Sequence, residues 1–280
     1  MRYYDCHIHL SPGKTDMLTP AEGYAAMTAA GVTRGNVFSP APGKFWLPQH
    51  GTPDDCVGRI ETLLTNTAVS AELMPFFWVD PTEPDAIEQV RYAAQKGCVG
   101  FKIICSGHYP GDERAMPVYR EIVKLKRPIM FHSGILYDGL DSSKYNRPAE
   151  FECLLNVPGL RFSVAHFSWP WVDECIALYG KFQSARSRYA PSEQVDLWLD
   201  NTPGTPAMYR EYAFRHVLGF EIDTTNRVMF GVDTEFNHYN TAYAQEIIDH
   251  DNVICNAMGV DDETRQKIFY DNAVKFVRVE

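Results

Sequence analysis

Short apolar runs alternate along the chain with stretches in which apolar residues recur every three or four positions, and the alternation repeats about eight times. The runs cover residues 2–8, 32–39, 73–79, 99–105, 128–131, 160–165, 195–199 and 227–232, and most have the composition of strands. The stretches between them open as helices do. Thr19-Pro20-Ala21-Glu22 begins one that runs to Gly31, and Pro84-Asp85-Ala86 begins another that runs to Gly97, each with a glycine placed to cap its end. Eight such units in 280 residues average 35 residues, the size of one strand-plus-helix unit, and strands separated by helices pair in parallel. Such a chain closes into a barrel or stays an open sheet wound on both faces. The glycine-rich phosphate turn of a nucleotide-binding open sheet is missing after the first run, and no linker divides the chain. The pattern predicts an α/β protein with a single (β/α)8 (TIM) barrel domain over residues 1–280. Residues 40–54, rich in Pro and Gly, read as a long loop, and residues 261–279 as a C-terminal extra helix across the barrel.

Composition sets the context. With 45% hydrophobic residues the chain can bury a large core, which excludes disorder. The 26 Lys and Arg against 36 Asp and Glu give a net charge of −10, and no basic run occurs, so neither nucleic acid nor an anionic membrane is an expected partner. No apolar stretch approaches the roughly 18 to 20 residues of a membrane helix, and residues 1–7 lack a signal-peptide core. Seven cysteines without a CxxC pair fit neither a disulfide framework nor a zinc ribbon, and suit reduced thiols in a cytoplasm.

The ionisable residues carry the functional signal. His7 and His9 end the first run, His132 follows the fifth, His166 the sixth, Asp200 the seventh and Asp233 the eighth. From His132 the steps are 34, 34 and 33 residues, one strand-plus-helix unit each, and Lys102 lies 30 residues before His132. In a parallel barrel those strand ends converge on the mouth where catalytic groups are found. The i, i+2 spacing of His7 and His9 on a strand puts both imidazoles on one face. Such a pair alone is more often packing than ligation. Joined by His132 and Asp233 it becomes a three-nitrogen, one-oxygen set able to hold a divalent metal, Zn by commonness, with Mn, Fe or Ni also compatible. An apolar strand ending in an acid is expensive unless a cation or hydrogen bonds compensate it.

His166 suits either a second metal or a general acid/base. Lys102, inside an apolar strand, leaves three readings open: a snorkelling core lysine, a cation for the substrate, or a lysine carboxylated to bridge two metals. Asp200 can simply bond neighbouring loops. His50, His108, His216, His238 and His250 take solvated or packed roles, and Cys6 reads as an outward core residue. Cys105 has no neighbouring base. Trp169 and Trp171 line a pocket or cover apolar surface.

Tyr4-Asp-Cys-His-Ile-His-Leu10 resembles the opening of amidohydrolase-superfamily proteins, and Met130-Phe-His-Ser133, Val164-Ala-His-Phe167 and Phe230-Gly-Val-Asp233 resemble its later motifs. The likeness spans the chain and is strongest to the amidohydrolase-related branch without an N-terminal β-sandwich, which mixes metal-dependent hydrolases with nonoxidative decarboxylases. It implies a distorted (β/α)8 barrel, metal ligation by His7, His9, His132 and Asp233, and a polar active-site role for His166. The strand around Lys102 resembles those carrying a bridging carboxylated lysine in two-metal members, and single-metal members carry similar strands, so one or two ions are both open. Phe167-Ser168-Trp169-Pro170 departs from the glycine-rich sequence of many relatives.

Three functions follow. In the first, a metal-dependent hydrolase, activated water attacks an amide, ester or lactone of a small molecule, with Asp233 moving the proton and His166 stabilising the oxyanion. In the second, a metal-dependent decarboxylase removes CO2 from a small aromatic or unsaturated acid, whose carboxylate Arg147 or Lys102 would meet. The third is a non-catalytic metal- or ligand-binding barrel. A homo-oligomer is compatible with all three.

Overall fold

The computed structural model describes residues 1–11, 17–45 and 55–278. Its strands are β1 (Tyr3–His9), β2 (Val32–Phe38), β3 (Leu73–Trp78), β4 (Gly100–Ile103), β5 (Ile129–Phe131), β6 (Arg161–Val164), β7 (Asp196–Asp200), β8 (Val228–Met229) and β9 (Thr234–Glu235). All pair in parallel in the order β8-β7-β6-β5-β4-β3-β2-β1-β9. β8 and β9 are two halves of the eighth stave. Ile8 and His9 pair with Thr234 and Glu235, and the Cys6 N–H donates to Phe230 O at 2.9 Å. The first stave thereby meets the last, and the sheet is a distorted (β/α)8 barrel.

Helices α1 (Pro20–Ala29), α2 (Cys56–Thr67), α3 (Ala86–Lys96), α4 (Ala115–Lys124), α5 (Val172–Ala185), α6 (Ala207–Leu218) and α7 (Thr241–Met258) follow strands, as the periodicity predicts. Thr19 caps α1 in a capping box with Glu22, and Gly97 ends α3 at φ 108°. The link from β5 to β6 departs from the pattern, crossing through the 3₁₀ turns Ser143–Asn146 and Pro148–Asn156. The predicted last helix is divided into α8 (Asp262–Gln266), a π turn (Lys267–Asp271) and α9 (Asn272–Val277); residue 279 lies outside the described residues. Of the predicted 40–54 loop, Gly43–Phe45 form a 3₁₀ turn, while residues 46–54, His50 among them, lie outside the described residues.

Alternation along the strands sorts the core into two layers. Outward residues such as Phe101, Phe131, Val164 and Leu199 pack under the helices. Inward residues Tyr4, Cys6, Phe38, Phe76, Met130, Trp198 and Met229 fill the barrel, and α9 closes its N-terminal end with Phe276 and Val277. Cys6 therefore faces inward with Tyr4, not outward as alternation with His7 predicts, because β1 is irregular between Asp5 and Ile8 and His7 turns inward as well. It is still a packing residue. All seven cysteines are free, and no described helix is long and apolar enough to cross a membrane.

Candidate metal centre

With the N-terminal end of the barrel closed by apolar side chains, the polar residues gather at the C-terminal ends of the strands. His7, His9, Lys102, His132, His166 and Asp233 all line one cavity of about 360 Å³, walled on its other side by Ile104, Ile135, Leu136 and Tyr137. His7, His166 and Asp233 come closest, each offering a ligand atom within 4.8 Å of the other two. The His9 Nε2 lies 3.4 Å from Asp233 Oδ1, and the His7 Nε2 3.6 Å from the same oxygen. The ring of His132 stands 5.1 Å from that of His166, and its buried Nε2 has no hydrogen-bond partner. An orphaned imidazole nitrogen beside other imidazoles and a carboxylate is the donor set a divalent cation satisfies. The residues present fit such an ion.

A second layer of groups aims these donors. Asp200, fully buried, accepts from His7 Nδ1 at 2.7 Å through Oδ2 and from the Thr202 N–H at 2.7 Å through Oδ1. This fixes the His7 proton on Nδ1 and turns the Nε2 lone pair toward the cavity, where Lys102 Nζ lies 3.2 Å away. Thr202 Oγ1 in turn meets His166 Nδ1 at 2.9 Å. Asp200 thus orients both imidazoles, a larger role than bonding loops. Asp5 does the same for backbone: its Oδ1 accepts from the N–H groups of His7 at 3.0 Å and Val232 at 2.9 Å, tying β1 to the segment that carries Asp233.

Backbone conformation also converges here. His166, Phe167 and Ser168 take φ of 60°, 45° and 58°, and Asp233 takes 57°. Such left-handed conformations suit glycine, and non-glycine residues hold them at a cost of order 1–3 kcal/mol each where the surroundings enforce them. Phe167 and Ser168 are two of the residues that depart from the glycine-rich pattern. The turn is held by Ser168 N–H to Ala165 O and by Thr205 Oγ1 to His166 O, and Gly204 makes room for it, since a Cβ there would stand 2.5 Å from His166 Cγ.

Burial controls the charge states. It pushes His7 down to about 4, with the Lys102 ammonium adding to the shift, and it lowers His132 and His166 as well. The rings are therefore neutral, as ligation requires. For Asp233 burial acts in the opposite sense, but His7, His9 and His166 outweigh it and hold the carboxyl well below its usual range. Burial lowers Lys102 to about 8 against the opposing pull of Asp200 and Asp233. Lys102 is fully buried with Nζ beside His7, which removes the snorkelling reading.

Other expected participants lie elsewhere. Arg147 is half-exposed and paired with Glu174 at 2.7 Å, outside the cavity lining, so it meets no substrate there. Trp169 stacks on Tyr209 and Trp171 lies under Arg147. The Cys105 thiol is fully buried and pushed up by that burial, which makes it inert.

The sequence model of the Amidohydrolase family matches residues 4–279. The chain belongs to the amidohydrolase family. No curated protein matches it in sequence. Among solved structures, this amidohydrolase is similar to a probable 2-pyrone-4,6-dicarboxylic acid hydrolase from Acinetobacter baumannii, with 12% identity, a TM-score of 0.64 and 99% of each chain covered. It is similar also to 2,6-dihydroxybenzoate decarboxylase from Rhizobium, at 14% identity, a TM-score of 0.65 and 99% coverage of each. A third is 5-carboxyvanillate decarboxylase from Novosphingobium aromaticivorans in complex with manganese, at 19% identity and a TM-score of 0.61, covering 92% of this chain and 80% of that one. These likenesses show the fold, and the superfamily's use of divalent metals agrees with the donor set.

Two expected outcomes follow for this centre. Asp200→Asn presents an NH2 group to His7 Nδ1–H, so the ring flips its tautomer and turns N–H toward the cavity; affinity for a divalent metal then falls about 10–100-fold. A competitive chelator titration measures this, and unchanged affinity would detach Asp200 from the centre. In metal-free protein, His7 titrates near 4 when folded against 6.5 unfolded, so the unfolded chain binds the extra proton between those values. The His7 part of the stability is full above about pH 6.5 and declines toward pH 4, by up to about 1.4 kcal/mol per pH unit, against the opposite slope of Asp5, which burial raises to about 8. Thermal midpoints of the parent and His7→Ala recorded in chelator across that range isolate the His7 part, and a difference between them that does not change with pH would contradict it.

Proposed function

We propose that this amidohydrolase is a metal-dependent hydrolase that adds water to the amide, ester or lactone carbonyl of a small molecule, using His7, His9, His132 and Asp233 to hold the ion. The observation that carries the reading is the approach of His7, His166 and Asp233 within 4.8 Å at a cavity where His132 Nε2 has no protein partner. A bound divalent cation supplies Lewis acidity, polarising a carbonyl oxygen and lowering the pKa of water from 15.7 toward about 7. Asp233, 28% exposed and ionised, accepts the water proton and returns it to the leaving group. His166, its Nδ1 tied to Thr202, leaves Nε2 to stabilise the developing oxyanion or to hold a second ion. The apolar wall of Ile104, Ile135 and Leu136 excludes water from the bound substrate, and about 360 Å³ suits a small molecule. Zn is the commonest ion for such ligands and Mn is equally compatible.

A second reading has one observation in its favour. Lys102 is the cation among the described residues lining the cavity and is placed to meet the carboxylate of an acid that loses CO2, and two proteins of similar fold are named as decarboxylases. A panel of neutral esters, amides and lactones, and of aromatic and unsaturated acids, separates the two when acid release and CO2 are followed with and without chelator. Chelator-sensitive acid release supports the hydrolase. CO2 without hydrolysis, or hydrolysis that survives complete metal removal, would overturn it.

A further inference from the structure

The catalytic cavity carries a charged group that the proposed hydrolysis does not use. Half-buried Asp138 stands in its lining beside Tyr137, on the loop that leaves β5, together with the apolar residues Ile104, Ile135 and Leu136. One of its oxygens is spent on the loop itself, since Asp138 Oδ1 accepts from the Leu140 N–H at 3.0 Å and from the Ser142 hydroxyl at 2.8 Å. The other, Oδ2, is sheltered from solvent and has no hydrogen-bond partner. The turn needs only the first oxygen. A carboxylate oxygen kept from water without a donor is costly unless a ligand supplies one.

Two neighbours narrow the kind of ligand. Tyr137 is 77% exposed although it lines the cavity, so its ring is open to a bound molecule. Lys102, the cation of the described lining, is held at the metal end with Nζ 3.2 Å from His7 Nε2 and forms no ion pair with Asp138. We infer that the substrate of this site carries a protonated amino group at the end away from the carbonyl that is cleaved. Asp138 accepts a charge-assisted hydrogen bond from that ammonium, the Tyr137 ring attracts it, and the aliphatic wall covers the chain between ammonium and carbonyl. The protein's net charge of −10 draws such a cation in. This assignment rests on the reading of the centre as that of a metal-dependent hydrolase.

Calorimetric titration of the zinc-loaded full chain with hydroxamates, which anchor on a bound ion without being cleaved, tests the assignment. The probes are 4-aminobutanohydroxamate and 6-aminohexanohydroxamate, each beside its methyl-ended counterpart, pentanohydroxamate and heptanohydroxamate. At least one ammonium probe is expected to bind about tenfold tighter than its counterpart. Asp138→Asn, which keeps an oxygen for Leu140 and Ser142, should abolish that preference, and Tyr137→Leu, at an exposed position, should reduce it about threefold. Chelator-sensitive binding of all the probes with no preference for the ammonium end, or a preference that survives in Asp138→Asn, would overturn this inference and leave the hydrolase reading standing. Absence of chelator-sensitive binding by every probe would overturn both.

Discussion

An Asp233→Asn enzyme saturated with metal is expected to turn over about 10²–10⁴ times more slowly than the parent, the usual contribution of a positioned proton carrier. The substitution preserves size and leaves one oxygen for the imidazoles at 3.4 and 3.6 Å, but an amide cannot take a proton from water near neutral pH. Because the Asp233 carboxyl is held well below its usual range, it is ionised and available as a base across the ordinary pH range. The loss should fall on kcat, with any weakening of metal binding corrected by titrating the ion to saturation. A variant that retained full turnover would remove Asp233 from the chemistry.

The largest expected effect on stability lies behind the centre. Asp251 is fully buried and receives Arg210, itself 2% exposed, through a bidentate pair whose Nη2–Oδ2 distance is 2.8 Å. Asn201 Nδ2 also donates to Asp251 at 3.2 Å, while Asn201 Oδ1 accepts from the Gly231 N–H. Asp251→Ala strands a buried guanidinium, a loss expected to cost about 3–5 kcal/mol. Replacing both partners, Arg210→Met with Asp251→Leu, should recover most of it, since no unpaired charge remains. Denaturant unfolding of the single and double variants measures the difference. Asn201 adjoins Asp200, and Gly231 is two residues from Asp233, so the single variant should also bind metal more weakly. Equal stability of parent and Asp251→Ala would show that the pair holds nothing in place.

Much of the centre was legible because strand ends recur in phase with the chain. The 34-residue steps mark His132, His166 and Asp200 as occupants of successive staves, and in the structure the first two line the cavity while Asp200 lies just behind His7. What supports them was not legible. Asp200 finds His7 across 193 positions, and Asp5 finds Val232 across 227, pairings that no local periodicity encodes. Thr202 and Gly204 read as ordinary loop residues until His166 is seen against them. Cys6 shares the inward face of Tyr4, and the irregularity of β1 between Asp5 and Ile8 lets His7 turn inward as well, a departure from alternation that pairing with β2 reveals. The eighth stave divides at residues 230–233, although the apolar run 227–232 reads in the sequence as one strand. Arg147 has the charge for a substrate carboxylate, and its distance from the cavity follows from Glu174, 27 residues away.

The most direct test is the metal content of the purified protein beside that of His7→Ala and His132→Ala, measured by elemental analysis after dialysis against trace divalent ions. If imidazoles from separate staves share one cation with Asp233, the parent retains at least about one equivalent per chain and each variant loses most of it while keeping the parent's circular dichroism. A parent that retains no divalent metal, or variants that retain as much as the parent, would contradict the account.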